Sequence, residues 1–284
     1  MKSSMHASSS PPVPSFSLWR GILEFPFKVE NLKVWLIMTF SMVFLAGAAC
    51  AFAEIGALVV RVSEGREFSG FTMIIYRASW SVYGSLALLS FLSSAFPSAF
   101  FLCTIEDTAA GNDEVDWPDG PWYECLSKLV FLGWIFGCCA ALSTVFWLLA
   151  EIVLPIHGVF WWGLTLLSAI MLFPIPLYST MIAGSPWTLI HTLFLSRVIE
   201  KPFAGVAIYV YSAIFMVPCL VMGLWLITTL TWWMAPIVGF LWAIFILWYA
   251  RALGRVGYVL SQEERKGIKK KKRKKARLRR EAAE

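Results

Sequence analysis

FAGVAIYVYSAIFMVPCLVMGLWLITTLTWWMAPIVGFLWAIFILWYA, residues 203–250, is apolar for 48 positions. The hydrocarbon core of a bilayer is about 30 Å thick, and a helix takes ~20 apolar residues to cross it. This run is therefore long enough for two crossings. The turn between them is expected near Trp232-Trp233-Met234-Ala235-Pro236, where a proline coincides with paired interfacial aromatics.

Working outward, the same reading applies to most of the chain. Of 284 residues, 58% are hydrophobic and 15% charged, with a mean hydropathy of +0.69. A soluble domain carries roughly 45–50% apolar and about 25% charged residues. Apolar blocks place spans at about 34–60, 80–105, 129–154, 159–182, 205–230 and 235–255. None shows the ~10-residue apolar/polar alternation of a membrane β-barrel. The expected fold is all-α: a polytopic bundle of six transmembrane helices over 32–260. Pro97 in the second span removes a backbone donor and is expected to kink it, and Pro174 and Pro176 interrupt the fourth. Residues 61–79 read as a polar connector with an apolar patch at Phe71–Tyr76.

The ends differ in character. Residues 1–31 are Ser- and Pro-rich and then interfacial, with no cleavable signal peptide, so the first block reads as a retained anchor. Residues 261–284 form a polybasic tail, in which 12 of the 16 residues from Arg265 to Arg280 are Lys or Arg. Such a block is not expected to fold alone. With six spans, both termini share a side with the second and fourth connectors. That side holds 21 of the 24 positive residues, and the three on the other side are Arg61, Arg66 and Arg77. The positive-inside rule then puts both termini in the cytoplasm, in a plasma or inner membrane. It also puts there the loop 106–124, which carries seven acids and no Lys or Arg before Lys128.

Several features recur. Glu-containing segments precede the first, third and fifth spans. Ala53-Glu54-Ile55 and Ala150-Glu151-Ile152 fall late in the first and third, and Phe96-Pro97 and Phe173-Pro174 lie in the second and fourth. Their order is that of three repeated parallel hairpins, an arrangement known in transporter folds. The run Gly111-Asn112-Asp113-Glu114-Val115-Asp116-Trp117-Pro118-Asp119 and the closing Leu253-Gly254-Arg255 read as a signature to which no activity attaches.

Candidate chemistry is sparse. A charge at the bilayer centre costs about 2.5–3.5 kcal/mol on insertion scales, so Glu54 and Glu151 are candidates for an intramembrane polar site. Each lies more than twenty residues beyond a lysine at the start of its span, a distance that also fits the outer interface. In the acidic loop, Asp113, Glu114, Asp116 and Asp119 lack the alternation of an EF-hand. Gly184-Ser185-Pro186 lacks the second glycine of a nucleophile elbow. The six cysteines lie mostly inside apolar blocks without zinc-site spacing, and no nucleotide or zinc-protease motif occurs. No catalytic, cofactor or metal assignment follows.

Basic residues beside a membrane are each worth roughly 1 kcal/mol of attraction to anionic lipid. The contacts expected are Arg251, Arg255, Arg265, Lys266, Lys269, Lys270, Lys271, Lys272, Arg273, Lys274, Lys275, Arg277, Arg279 and Arg280. Arg251 and Arg255 lie four apart on one helix face, from which they are expected to snorkel to headgroups. Nucleic acid is the less favoured partner, protein partners on the cytoplasmic face remain open, and no oligomeric state is set. The functional expectation is a non-enzymatic scaffold, assembly or lipid-interacting membrane protein. The alternative is a secondary transporter or channel using Glu54 and Glu151.

Overall fold

The computed structural model describes Ile22 and residues 32–64, 70–112, 115, 121–151, 159–229 and 231–281; for 58–59, 61–64, 70–80, 159–160, 162 and 261–281 it describes the backbone alone. The order is α1 (Leu32–Glu64), α2 (Gly70–Ala110), α3 (Trp122–Glu151), α4 (Val159–Leu172), α5 (Pro174–Ala183), α6 (Thr192–Glu200), α7 (Pro202–Tyr211), α8 (Val217–Thr229) and α9 (Ala235–Glu281). No strand occurs among the described residues. Six stretches are long and apolar enough to cross a membrane: Leu32–Ala57, Ser81–Ala110, Trp122–Glu151, Gly163–Ala183, Pro202–Thr229 and Trp232–Leu260. The protein is an all-α, multi-pass membrane bundle. Its outer surface agrees, with Phe40 75% and Phe203 88% exposed, which water would penalise and lipid does not.

Helix α9 is the post of the bundle, packed against α1, α2, α7 and α8. On α1 every fourth residue of the series Val34, Met38, Met42, Ala46 and Cys50 is buried. The first three of these share a core with Ala243 and Leu247 of α9, and the last two with Ala235 and Val238. The pairing runs antiparallel. Lipid tails are as apolar as leucine, so helices in a membrane associate through close van der Waals approach rather than a hydrophobic gain. Gly239 supplies that approach: a Cβ there would lie 2.4 Å from Val43 Cα. Gly254 does the same against α2, where a Cβ would lie 2.4 Å from Thr108 Cβ.

Two expectations are revised, and two features are added. The connector 61–79 is mostly helix, since α1 continues to Glu64 and α2 begins at Gly70. The two Phe-Pro pairs are not equivalent: α2 runs unbroken through Pro97, whereas the fourth span divides at Phe173, with Pro174 opening α5. A proline is well tolerated at a helix start because its missing N–H has no intrahelical partner there. The fifth span contains a π turn, Ser212–Met216, between α7 and α8. Pro218 follows it; its ring crowds the carbonyl four residues back and it donates no bond, which a widened turn relieves. Finally, α9 continues to Glu281, so the backbone of the basic tract is helix that extends the last span. Lysine, arginine and glutamate are good helix formers, and the span has already met the nucleation cost. Of residues 1–31 only Ile22 is described, fully buried in the main core.

Replacing Gly239 by leucine is expected to lower the thermal midpoint of the detergent-solubilised chain, at a cost of about 1–3 kcal/mol or more from overpacking. Gly47→Ala, where nothing lies within 4 Å of the added Cβ, is the control and should leave the midpoint unchanged or raised.

Candidate functional site

The chemistry-bearing side chains gather at the end of the bundle where α2 finishes. That finish is a Schellman motif. Gly111, at φ 96°, stands in the left-handed region. Its N–H reaches Thr108 O at 3.0 Å, and Asn112 N–H reaches Asp107 O at 2.9 Å, which are the two bonds that define the motif. The carbonyl of Asn112 is thereby aimed at α9, where Arg251 Nη1 donates to it at 3.1 Å and to Thr108 Oγ1 at 2.8 Å. Arg251 is 2% exposed. It does not snorkel to headgroups as its spacing from Arg255 led us to expect. The face that carries both arginines is turned into the bundle because α9 is central, and the end of α2 meets the guanidinium. The negative end of the α2 dipole also favours a cation at that point. Arg255 is half-buried.

Further contacts fix the same end. Tyr178 of α5 donates from its hydroxyl to Leu253 O and stacks on Phe194 of α6, with centroids 5.4 Å apart. Lys201, between α6 and α7, donates to Val259 O at 2.7 Å. Lys128 of α3 donates to Cys103 Sγ of α2 at 3.1 Å. Val115 packs against the core that contains Val34 and Leu247. The start of α1, the end of α2 with Asn112 and Val115, the α5–α7 connection and the stretch of α9 around Val259 therefore share one end. Among these elements lies a cavity of about 330 Å³, lined by Glu106, Tyr178, Met181, Phe194, Arg197 and Leu260 among others. A smaller cavity of about 120 Å³ lies deeper, among aromatic side chains that include Phe101, Phe173 and Tyr249. There Tyr249 and Ser212 of the π turn share a hydroxyl–hydroxyl hydrogen bond of 2.9 Å.

The remaining expected site residues are dispersed. Glu54 is exposed and sits three residues before the end of its apolar stretch, while Glu151 is the last residue of its own. Their helices, α1 and α3, are not among the pairs that pack substantially, and neither acid lines either cavity. Asp113, Glu114, Asp116 and Asp119 lie outside the described residues, as does His157. The side chains of Arg265 to Arg280 are also outside the description. His191 is an N-cap, its Nδ1 accepting from Leu193 N–H at 3.2 Å. Gly184 is the left-handed C-cap of α5, which accounts for the glycine in Gly184-Ser185-Pro186 without a nucleophile. All six cysteines are free thiols, and among the described residues no three metal-ligating side chains come together.

Compared with family models, curated proteins and solved structures, the chain matches none of them.

Sequence reasoning missed the Arg251 clamp, although two signals for it were present. Arg251 stands nine residues before the end of its apolar stretch, and Ala109-Ala110-Gly111-Asn112 is a helix stop of the glycine-capped kind. Arg251→Leu should leave Thr108 and the Asn112 carbonyl without this donor, lowering stability by about 1–3 kcal/mol. Hydrogen exchange at Gly111 and Asn112 should rise with it, and unchanged exchange there would show that the cap does not depend on the arginine.

Proposed function

We propose that this chain is a non-enzymatic multi-pass membrane protein that engages anionic lipid through the basic end of its last helix. In this reading the acidic loop is a competing partner for that end, and both lie in the cytoplasm. The observation that carries it is the clamp itself. Arg251 ties the segment that opens the acidic loop to the helix that continues into the basic tract. In this reading the acids that follow Asn112 and the cations that follow Leu260 meet near that end of the bundle, where anionic headgroups compete for the cations. Twelve basic residues within 16, each worth roughly 1 kcal/mol near an anionic surface, exceed what a topology signal requires.

The test uses the full chain in nanodiscs, with an environment-sensitive fluorophore at Ser261→Cys in a background lacking the native cysteines. The probe should shift toward an apolar signature in anionic discs, lose the shift at high salt, and lose it when the lysines and arginines of 265–280 become glutamine. Identical spectra in neutral and anionic discs would overturn the proposal. Sidedness has its own test, with cysteines at Asp116 and Ser261 and an impermeant thiol reagent on intact cells. Protection of both until lysis is expected; labelling of either one in intact cells refutes the shared cytoplasmic face.

A transporter or channel is the second reading. The divided fourth span and the π turn in the fifth favour it, since interrupted helices frame midplane sites in transporters. Proton or cation flux in vesicles that disappears in the Glu54→Gln, Glu151→Gln double variant would select it.

A further inference from the structure

The 330 Å³ cavity at the charged end is a site separate from the basic tract: its lining among the described residues ends at Leu260, and Glu106, counted with the acidic loop in the sequence, belongs to it as part of α2. Its volume falls within the ~300–1,000 Å³ of ligand sites, whose walls are mostly apolar with a few placed polar groups. Four helices build it, each presenting one face. Glu106 comes from α2, Tyr178 and Met181 from α5, Phe194 and Arg197 from α6, and Leu260 from α9. The aromatic stack of Tyr178 on Phe194 and the bond from Tyr178 to α9 make the wall rigid, so the cavity is preformed.

Its two charged lining groups have opposite signs. Glu106 is exposed and Arg197 half-buried, and both stand in the belt of charge that includes Lys128, Lys201 and Arg255. A carboxylate accepts hydrogen bonds and cannot donate them, while a guanidinium offers five N–H donors in a planar fork suited to phosphate. The surroundings identify the source of the ligand. Beside the cavity Ile182 is 39%, Leu193 52% and Ile199 78% exposed. These are apolar surfaces on a membrane protein at the level of its charged belt, so a molecule entering past them comes from the bilayer.

We propose that this cavity binds one zwitterionic aminophospholipid of the ethanolamine type, with its phosphate on Arg197, its primary ammonium on Glu106 and the upper part of one acyl chain against Met181, Phe194 and Leu260. A primary ammonium donates to the carboxylate, whereas a trimethylated one has no N–H to give, and an anionic glycerol headgroup lacks the positive charge altogether. The site therefore discriminates among headgroups. It also differs in kind from the basic tract, which favours net negative charge.

The test is lipid retention by the purified full chain, read by native mass spectrometry after exposure to equal amounts of phosphatidylethanolamine, phosphatidylcholine and phosphatidylglycerol with identical acyl chains. About tenfold preferential retention of the ethanolamine lipid over phosphatidylcholine is expected, the scale of one charge-assisted hydrogen bond, while phosphatidylglycerol also reports the basic tract. Glu106→Gln should remove that preference. Met181→Trp should fill the cavity and abolish retention, with the thermal midpoint checking that the variant folds. A measurement on the unmodified chain stands beside these: an ethanolamine lipid with a photoreactive group near its headgroup should label the peptides containing Met181 and Arg197. Glutamine at the basic positions of 265–280 should lower retention of phosphatidylglycerol and leave retention of the ethanolamine lipid unchanged, so failure of the basic-tract reading leaves this outcome readable. Equal retention of all three lipids, or labelling elsewhere on the chain, overturns the proposal.

Discussion

The bundle depends on how closely α9 can approach its neighbours. Inside a bilayer there is no gain from removing apolar surface from water, so helices stay together only where their surfaces interlock. Gly239 lets α1 lie against the backbone of α9, and Gly254 lets α2 do so farther along. The fully buried Ala243, Ala250 and Ala252 keep the intervening surface narrow. The bulky residues of the chain, by contrast, are largely turned outward, Phe40 and Phe203 among them, where lipid rather than protein is their partner. Bulky side chains fill the interior as well, Phe100, Tyr211 and Tyr249 among them, away from the seams where the glycines and alanines lie.

That close approach also explains how the protein holds a guanidinium inside an apolar stretch. A buried cation is tolerated only when its donors are met. The contact at Gly254 brings the end of α2 near enough for Thr108 and the Asn112 carbonyl both to accept from Nη1 of Arg251. The left-handed Gly111 turns that carbonyl toward the arginine, and a Cβ at this glycine would also press on Tyr258, 3.0 Å away. Packing, capping and charge satisfaction are thus one arrangement seen at three scales. The same end of the molecule holds the larger cavity because α5 and α6 must pass beside this joint after the chain breaks at Phe173.

The sequence disclosed much of the architecture and little of the site. Six spans were legible because crossing a bilayer needs a fixed length of apolar helix, a quantity that reads directly along the chain. The turn at Trp232–Met234 was legible for the same reason. The second span was placed short of its end because Glu106 and Asp107 looked like loop residues, when they are the last turns of α2. Arg251 was misplaced because periodicity reports which residues share a face and says nothing about which way that face turns. In a helix apolar all round, only the packing decides. The π turn was hidden because its cause, Pro218, acts on backbone several residues earlier. Glu54 and Glu151 stood out by composition, yet the structure places them at the ends of their apolar stretches on helices that do not pack together.

The continuity of α9 sets a question of reach. The helix runs from Ala235 to Glu281 without a break, and the part beyond Leu260 is about 30 Å long at 1.5 Å per residue. The Debye length at physiological salt is about 8 Å. Held upright, such a rod carries its outermost cations several screening lengths from the bilayer, where they exert almost no pull on it. Laid toward the surface, it brings the whole tract within range at once. How strongly a charged surface could act on the far end of α9 is therefore set by the angle at which an unbroken helix leaves the bundle.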